Sequence, residues 1–264
     1  MARACPDLSI VIPAYNEAQR LPPSLWRLAA YLADAPYRFE IVVVSNGSDD
    51  GTEDVVRGLV PAIPGLRLVV ETRRGKGLAV RRGIEASRGQ IVLLCDADLS
   101  MPPEHISDFL ASLAHVDVVV GSREAPGARR IGEPWHRHVM GRVFNALVRG
   151  LAVPGIDDTQ CGFKAFRRDA AETLARRQTI NGFGFDVELL YLARKYGYRM
   201  KELPITWHFD PASRVRPGID TFHMLRELIT IRLRDLRGAY GPVHRTPEPV
   251  LVAQTVPVVE PSIR

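Results

Sequence analysis

Two aspartates, Asp96 and Asp98, follow the apolar run Ile91-Val92-Leu93-Leu94-Cys95 and precede Ser100 and the pair Pro102-Pro103. An unbroken apolar run bounded by Gly89 and a proline turn reads as a buried strand. Residues two apart on a strand share a face, so the two carboxylates are expected side by side at a strand's end. Paired carboxylates suit a hard divalent cation, which takes oxygen ligands and often bridges to the phosphates of a substrate. Open α/β sheets bind ligands beyond the carboxyl ends of their strands, and an uncompensated carboxylate pair there is costly. A nucleotide-diphosphate site is the first chemistry this segment suggests.

A sheet must hold those carboxylates, and the first half of the chain predicts one. Strand signals lie at Leu8–Ile12, Phe39–Val44, Leu66–Glu71, Ile91–Cys95 and Val116–Val120, with helical signals near Pro22–Ala33, Thr52–Val60, Lys76–Ser87 and Pro103–Leu113. Such alternation implies an α/β fold with a mostly parallel central sheet covered by helices on both faces. The loops after the first, second and fourth strands carry Pro13-Ala14-Tyr15-Asn16-Glu17, Ser45-Asn46-Gly47-Ser48-Asp49-Asp50-Gly51-Thr52 and the aspartate pair. All three meet at one edge of the sheet, which makes a site there. Asp49 and Asp50 are expected to cap the helix near Thr52.

The second half changes character. It predicts a basic helix over Trp135–Leu151, a loop through Asp157-Asp158-Thr159-Gln160 into Cys161–Phe166, and a helix at Asp186–Tyr196. Strands at Arg199–Leu203 and Ile205–Phe209 and a last helix at Thr221–Arg237 follow. One domain over 1–241 is expected, followed by a Pro/Val-rich tail, 242–264, without periodicity and expected to be disordered. On the last helix Phe222, Leu225, Ile229, Leu233 and Leu236 form one apolar stripe and Met224, Leu228 and Ile231 a second. Two stripes suit a helix that packs on its own domain and also rests on a bilayer or a partner, with Arg226, Arg232 and Arg237 reaching water or lipid phosphate.

Composition bounds the class. The 264 residues are 46% hydrophobic and 25% charged, ordinary for a globular protein. No apolar run approaches the roughly 18 residues that cross a bilayer, and residues 1–7 have no apolar leader core. These features predict a cytosolic protein, or one peripheral on the cytosolic face of a membrane. Three cysteines, Cys5, Cys95 and Cys161, show no metal-ligand spacing. The net charge is +5, and six arginines with two histidines crowd the segment Arg123–Arg149. That segment suits anionic lipid or a phosphate-bearing substrate; nucleic acid ranks last, because no nucleic-acid motif accompanies it.

Taken in order, Pro-Ala-Tyr-Asn-Glu, Asn-Gly-Ser-Asp-Asp-Gly-Thr, Arg74-Gly75-Lys76-Gly77, Asp96-Ala97-Asp98 and Gly121-Ser122-Arg123 resemble a family-2 glycosyltransferase with the GT-A fold. Asp158-Thr159-Gln160-Cys161-Gly162-Phe163-Lys164, Phe185-Asp186-Val187-Glu188 and Ile231-Arg232-Leu233-Arg234 look like the dolichyl-phosphate glucosyltransferase branch, close to the polyprenyl-phosphate sugar synthases. The resemblance spans about Leu8 to Gly241. It implies a nucleotide-sugar donor, a polyprenyl or dolichyl phosphate acceptor at a membrane surface, and Mg2+ or Mn2+. A membrane-protein partner is a further expectation.

Carried onto this chain, the resemblance assigns the donor to Pro13, Tyr15, Glu17, Ser45, Asn46, Lys76, Asp96, Ala97 and Asp98, and the metal to Asp96, Asp98 and Ser100. Asp98, Asp158 and Asp186 are the catalytic candidates; Asp186 and Glu188 project about 200° apart on a helix, so only one faces a small site, and Asp186 is favoured. Arg123, Arg137, Lys164 and Arg214 are candidates for the acceptor phosphate, because guanidinium groups suit phosphate. The family usually has an acid where Ser45 stands, which leaves uracil versus guanine open. UDP-glucose is the preferred donor and GDP-mannose its rival; a hydroxyl-acceptor transferase and a sugar-phosphate nucleotidyltransferase are more distant alternatives.

Overall fold

The computed structural model describes residues 5–210 and 219–242, except the side chains of 136, 137, 140, 143, 144 and 219–221. Arg214, most of the tail (243–264) and the side chain of Arg137 lie outside what is described. In chain order the elements are β1 (Leu8–Ala14), α1 (Leu21–Leu32), β2 (Phe39–Asn46), α2 (Thr52–Leu59), β3 (Leu66–Glu71), α3 (Lys76–Ala86), β4 (Ile91–Leu94), α4 (His105–Ser112), β5 (Val118–Ser122), β6 (Arg129–Ile131), α5 (Trp135–Leu151), β7 (Lys164–Arg167), α6 (Arg168–Arg177), α7 (Phe185–Lys195), β8 (Met200–Pro204), β9 (Thr206–His208) and α8 (Ile219–Leu236).

Seven strands form one sheet in the order β3-β2-β1-β4-β7-β5-β8, and β6 pairs β9 in a small second sheet. All pairings in the large sheet are parallel except those of β7, which runs antiparallel between β4 and β5. Alternation along β1 explains the two cores. Leu8, Ile10 and Ile12 face one side, with Leu25 and Leu28 of α1, Val56 of α2 and Phe109 of α4; Val11 faces the other, with residues of α3, α6, α7 and α8. Helices therefore cover both faces, as the alternation predicted. α3 lies close on the sheet because Gly83 has no side chain: a Cβ there would fall 2.2 Å from Val11 Cγ1.

Most sequence expectations land within two residues of the observed ends; α5 matches at both. The helix α6 was not foreseen. Its buried face is Ala170, Ala171, Leu174 and Ala175, mostly alanine, so it lacks the large apolar residues that make periodicity visible. The two strips of α8 separate as expected: Met224, Leu228 and Ile231 are buried, whereas Phe222, Ile229, Leu233 and Leu236 are exposed and Leu225 is partly buried against the core.

Candidate active site

The register brings the predicted loops to one edge. Val11 pairs with Leu94 and Ala14 with Ser45, so the residues following β1, β2 and β4 emerge side by side. The strand before the aspartates is shorter than expected and ends at Leu94. Asp96 and Asp98 are instead brought together by a turn, closed by the Leu99 N–H donating to the Asp96 carbonyl (3.2 Å) with Leu99 at φ 45°. Asp98 Oδ1 accepts the Ser100 N–H at 3.0 Å. Both carboxylates line a cavity of about 270 Å³, together with Lys76, Ser100, Arg123, Gly162, Phe183, Asp186, Trp207 and Met224 among others.

Lys76 reaches this cavity from the N-terminus of α3, where its Nζ lies 2.7 Å from Asp96 Oδ1. The flanking glycines make that possible. Gly75 has φ 147°, and a Cβ at Gly75 or Gly77 would fall 2.5 Å from the Asn181 carbonyl oxygen or 2.6 Å from the Ile180 carbonyl oxygen. The charges divide unevenly. Burial pushes the Asp96 carboxyl up, but the Lys76 ammonium outweighs it and holds it below its ordinary value. Burial, and then repulsion from Asp96, raises Asp98. Asp98 is thus a carboxylate in need of a cation. Asp96, Asp98 and Ser100 offer oxygen donors alone, which fits a hard divalent ion. Among the described residues there is no group of three or more His, Cys, Asp or Glu that could hold a metal ion.

Arg123, which also lines the cavity, is held by Asp158. Its Nε and Nη2 donate to the two carboxylate oxygens at 2.7 and 2.9 Å, and its ring-facing side lies 5.3 Å from the Trp207 ring centre. Asp158 is wholly buried, and the Asp157 and Asp158 N–H groups donate to Glu202 at 2.8 and 2.9 Å. Burial would raise Asp158, yet Arg123 brings it down to about 2. Asp158 is not among the residues lining the cavity and reaches it through Arg123 and through the Gln160 N–H, which it accepts at 3.3 Å. Lys164 is fully buried, donating to the Cys161 carbonyl (2.5 Å) and Asp186 Oδ1 (2.6 Å). Asp186 lines the cavity, and burial raises its carboxyl despite Lys164. Glu188 points elsewhere and binds the Thr179 and Ile180 N–H groups and the Tyr240 hydroxyl.

The donor-side loops are less open than their residue types suggested. Tyr15 lies beneath the Arg74 guanidinium, 4.8 Å from it, and Asn46 Oδ1 accepts the Gly75 N–H at 3.0 Å. Glu17 takes two hydrogen bonds from Arg20, which also reaches Asp210 at 2.5 Å. Pro13 and Ala97 line the same edge of the sheet, with Ala97 buried. Asp50 accepts the Thr52 N–H at 3.0 Å at the start of α2, and Asp49 pairs with Asn16 and Arg74. Two residues escaped the sequence reading. Glu53, from the first turn of α2, accepts the Ser45 hydroxyl at 3.2 Å and so brings an acid to the strand end where Ser45 had left none. Gly162 lies over Asp96, where a Cβ would fall 2.0 Å from Oδ2. The acid in the first turn of a helix and the glycine before a strand are the only signals.

The sheet order and the carboxylate turn at its edge are those of a GT-A fold. Residues 9–175 match the glycosyl transferase family 2. The chain belongs to that family and is a hexosyltransferase similar to the dolichyl-phosphate beta-glucosyltransferase of Dictyostelium discoideum, at 33% identity over 88% of this chain and 76% of that one. The Homo sapiens enzyme of the same name is 33% identical over 89% of this chain and 77% of its own. Among solved structures, mannosyl-3-phosphoglycerate synthase from Rubrobacter xylanophilus superposes with a TM-score of 0.66 at 20% identity, covering 88% of this chain and 75% of that one. Glucosyl-3-phosphoglycerate synthase from Mycobacterium tuberculosis in complex with Mn2+ and UDP-glucose gives 0.61 at 22%, covering 90% and 80%. These two likenesses establish the fold.

Proposed function

We propose that the chain transfers glucose from UDP-glucose to the phosphate of a dolichyl or polyprenyl lipid, with Mg2+ or Mn2+ at Asp96, Asp98 and Ser100. One observation carries the reading: a single cavity is lined by the Asp96–Asp98 turn, by Lys76 and Arg123, and by Asn145 of α5 and Met224 of α8. The names of the curated relatives support the acceptor and the sugar, and the Mn2+ and UDP-glucose bound by a structural neighbour support the donor and metal. Family membership favours transfer over nucleotidyl chemistry.

A lipid phosphate monoester has a second pKa near 6 and is largely dianionic at pH 7, so it is nucleophilic without a strong general base. Its oxygen forms the new bond to the anomeric carbon as the bond to the diphosphate breaks, and the bonding pair leaves with the diphosphate. A single displacement inverts the anomeric centre. The chain's part is positioning and charge compensation: Lys76 faces the departing diphosphate, while Arg123, fixed by Asp158, aims the incoming phosphate. A divalent cation, when bound, neutralises the leaving group.

The test is a donor panel. Radiolabelled UDP-glucose with Mn2+ and a short polyprenyl phosphate should give lipid-extractable label about tenfold or more above GDP-mannose, a preference of ~1.4 kcal/mol. Label from GDP-mannose instead would replace the donor, and label from neither would overturn the acceptor class.

The same reading places the protein at a membrane surface. No described helix is long and apolar enough to cross a bilayer. α5 exposes Trp135, Val139, Leu147 and Leu151, and α8 exposes Phe222, Ile229, Leu233 and Leu236, on helices that contact each other. Exposed apolar stripes beside arginines suit the interface of an anionic bilayer. Arg232 and Arg234 are partly turned inward, to the Tyr191 and Thr179 hydroxyls; Arg226 and Arg237 are exposed. Flotation with phosphatidylcholine–phosphatidylserine vesicles carrying polyprenyl phosphate should recover the intact protein, and Phe222, Ile229 and Leu233 changed together to Ser should lower recovery roughly tenfold. If the intact protein never floats, a membrane partner must present the lipid.

A further inference from the structure

We propose that Glu227, on α8, is a positioning residue that sets the Asp186 edge of the active site; its effect on turnover rests on the transferase reading above. α7, which carries Asp186, starts at Phe185 with Gly184 as its N-cap residue and no side-chain cap of its own. The first N–H groups of a helix need an outside acceptor, and an acidic group there is favoured by the helix dipole. Glu227 supplies one from another helix: its Oε2 accepts the Gly184 N–H at 2.7 Å.

The carboxylate lies directly over the segment leading into α7. A Cβ at Gly182 would fall 2.2 Å from Glu227 Oε1, and one at Gly184 would fall 2.7 Å from Oε2. Two glycines two residues apart thus leave room for one side chain. Between them is Phe183, which lines the cavity, as does Asp186 three residues further on. Met224, one turn before Glu227 on α8, lines it as well.

The opposite flank of this segment holds the donor-side cation. The Asn181 carbonyl accepts the Gly77 and Leu78 N–H groups at 2.9 and 3.3 Å, and Gln178 Nε2 donates to the Gly77 carbonyl at 2.7 Å. Residues 178–184 are therefore clasped between the Lys76 loop on one side and Glu227 on the other. Lys76, on α3 beside one flank of that segment, pairs with Asp96, and Asp186, just beyond its other end, pairs with Lys164. Releasing Glu227 frees the Asp186 end first, because Gly184 and Asp186 are two residues apart while Asn181 keeps its bonds to α3.

Glu227→Gln keeps the shape but turns one oxygen into an amide donor facing a backbone N–H, which removes half of the cradle. It should lower kcat roughly tenfold or more with the donor KM within about twofold, and the melting temperature within a few degrees, about the shift of ~1 kcal/mol or less. In an Asp186→Asn background it should cost little further, because both changes act on one group. Backbone amide exchange gives a readout that needs no substrate: Gly182–Val187 should exchange faster in Glu227→Gln while β1 and β2 do not change. Gly184→Ala, whose Cβ presses on the carboxylate, is the second variant and should show the same exchange pattern. An equal loss of kcat in both backgrounds, or unchanged exchange over Gly182–Val187, overturns the proposal. If the wild-type chain fails to use UDP-glucose and polyprenyl phosphate, the transferase reading fails and the exchange result still decides the role of Glu227.

Discussion

Asp98→Asn should lower transfer by at least about 100-fold, ~2.7 kcal/mol of transition-state stabilisation, while the ligand-free protein melts no lower than the wild type. The two halves of this result have one cause. Burial and the neighbouring Asp96 both raise the Asp98 carboxyl. A carboxyl with a raised folded pKa costs stability once pH exceeds its ordinary value, because the folded state then holds a charge it disfavours. Asn has the same shape without that charge, so the empty site loses a repulsion. The bound state loses its cation: Mn2+ with UDP should raise the wild-type melting temperature and move the variant much less, since a ligand stabilises only the state it binds. Retention of more than about a tenth of the activity, a loss under ~1.4 kcal/mol, would remove Asp98 as the principal metal ligand.

Arg123 carries the second large effect, and there stability and activity can be separated. Asp158 is 0% exposed and depends on Arg123 for its charge compensation. Arg123→Ala strands that carboxylate, and breaking a buried pair by removing one partner costs about 3–5 kcal/mol. In the wild type the Asp158 pKa is held at about 2 against an ordinary 3.8. The pair therefore stabilises fully above about pH 4, and its contribution is lost as pH falls toward 2. Without Arg123 the same carboxyl titrates above its ordinary value. The variant's deficit should be greatest near pH 7 and shrink as pH falls through the carboxylate range, which urea melts at several pH values will show. Arg123→Ala combined with Asp158→Asn should recover much of the stability and none of the transfer. Arg123→Lys keeps a cation but loses the two-point grip and should raise the KM for polyprenyl phosphate about tenfold with the donor KM unchanged. Equal losses for donor and acceptor would place Arg123 at the donor diphosphate instead.

The amino-acid sequence alone determined the repeating strand–helix frame, the meeting of three loops at one sheet edge, the placement of Asp96 and Asp98 there, and the two apolar strips of α8. All follow from local pattern: alternation, helical period, and the glycines and prolines that end an element. Local geometry also said that Asp186 and Glu188 could not both face one small cavity, since they project about 200° apart; the tertiary structure put Asp186 at the cavity and Glu188 on Thr179, Ile180 and Tyr240. What the tertiary structure decided is which charges meet. Arg123 and Asp158 are 35 residues apart, Lys164 and Asp186 22 apart, and Lys76 meets Asp96 from a different strand–helix unit. The placement of the segment before Lys164 depends on β7 entering antiparallel between β4 and β5, which lays Gly162 over the Asp96 carboxylate. The resemblance marked Asp158 and Lys164 as candidates; only the tertiary structure shows both buried and paired, because a charge taken out of water must spend its hydrogen bonds on a partner. Local pattern fixes which face a side chain takes, whereas the partner it meets there depends on strand order and register across the whole chain.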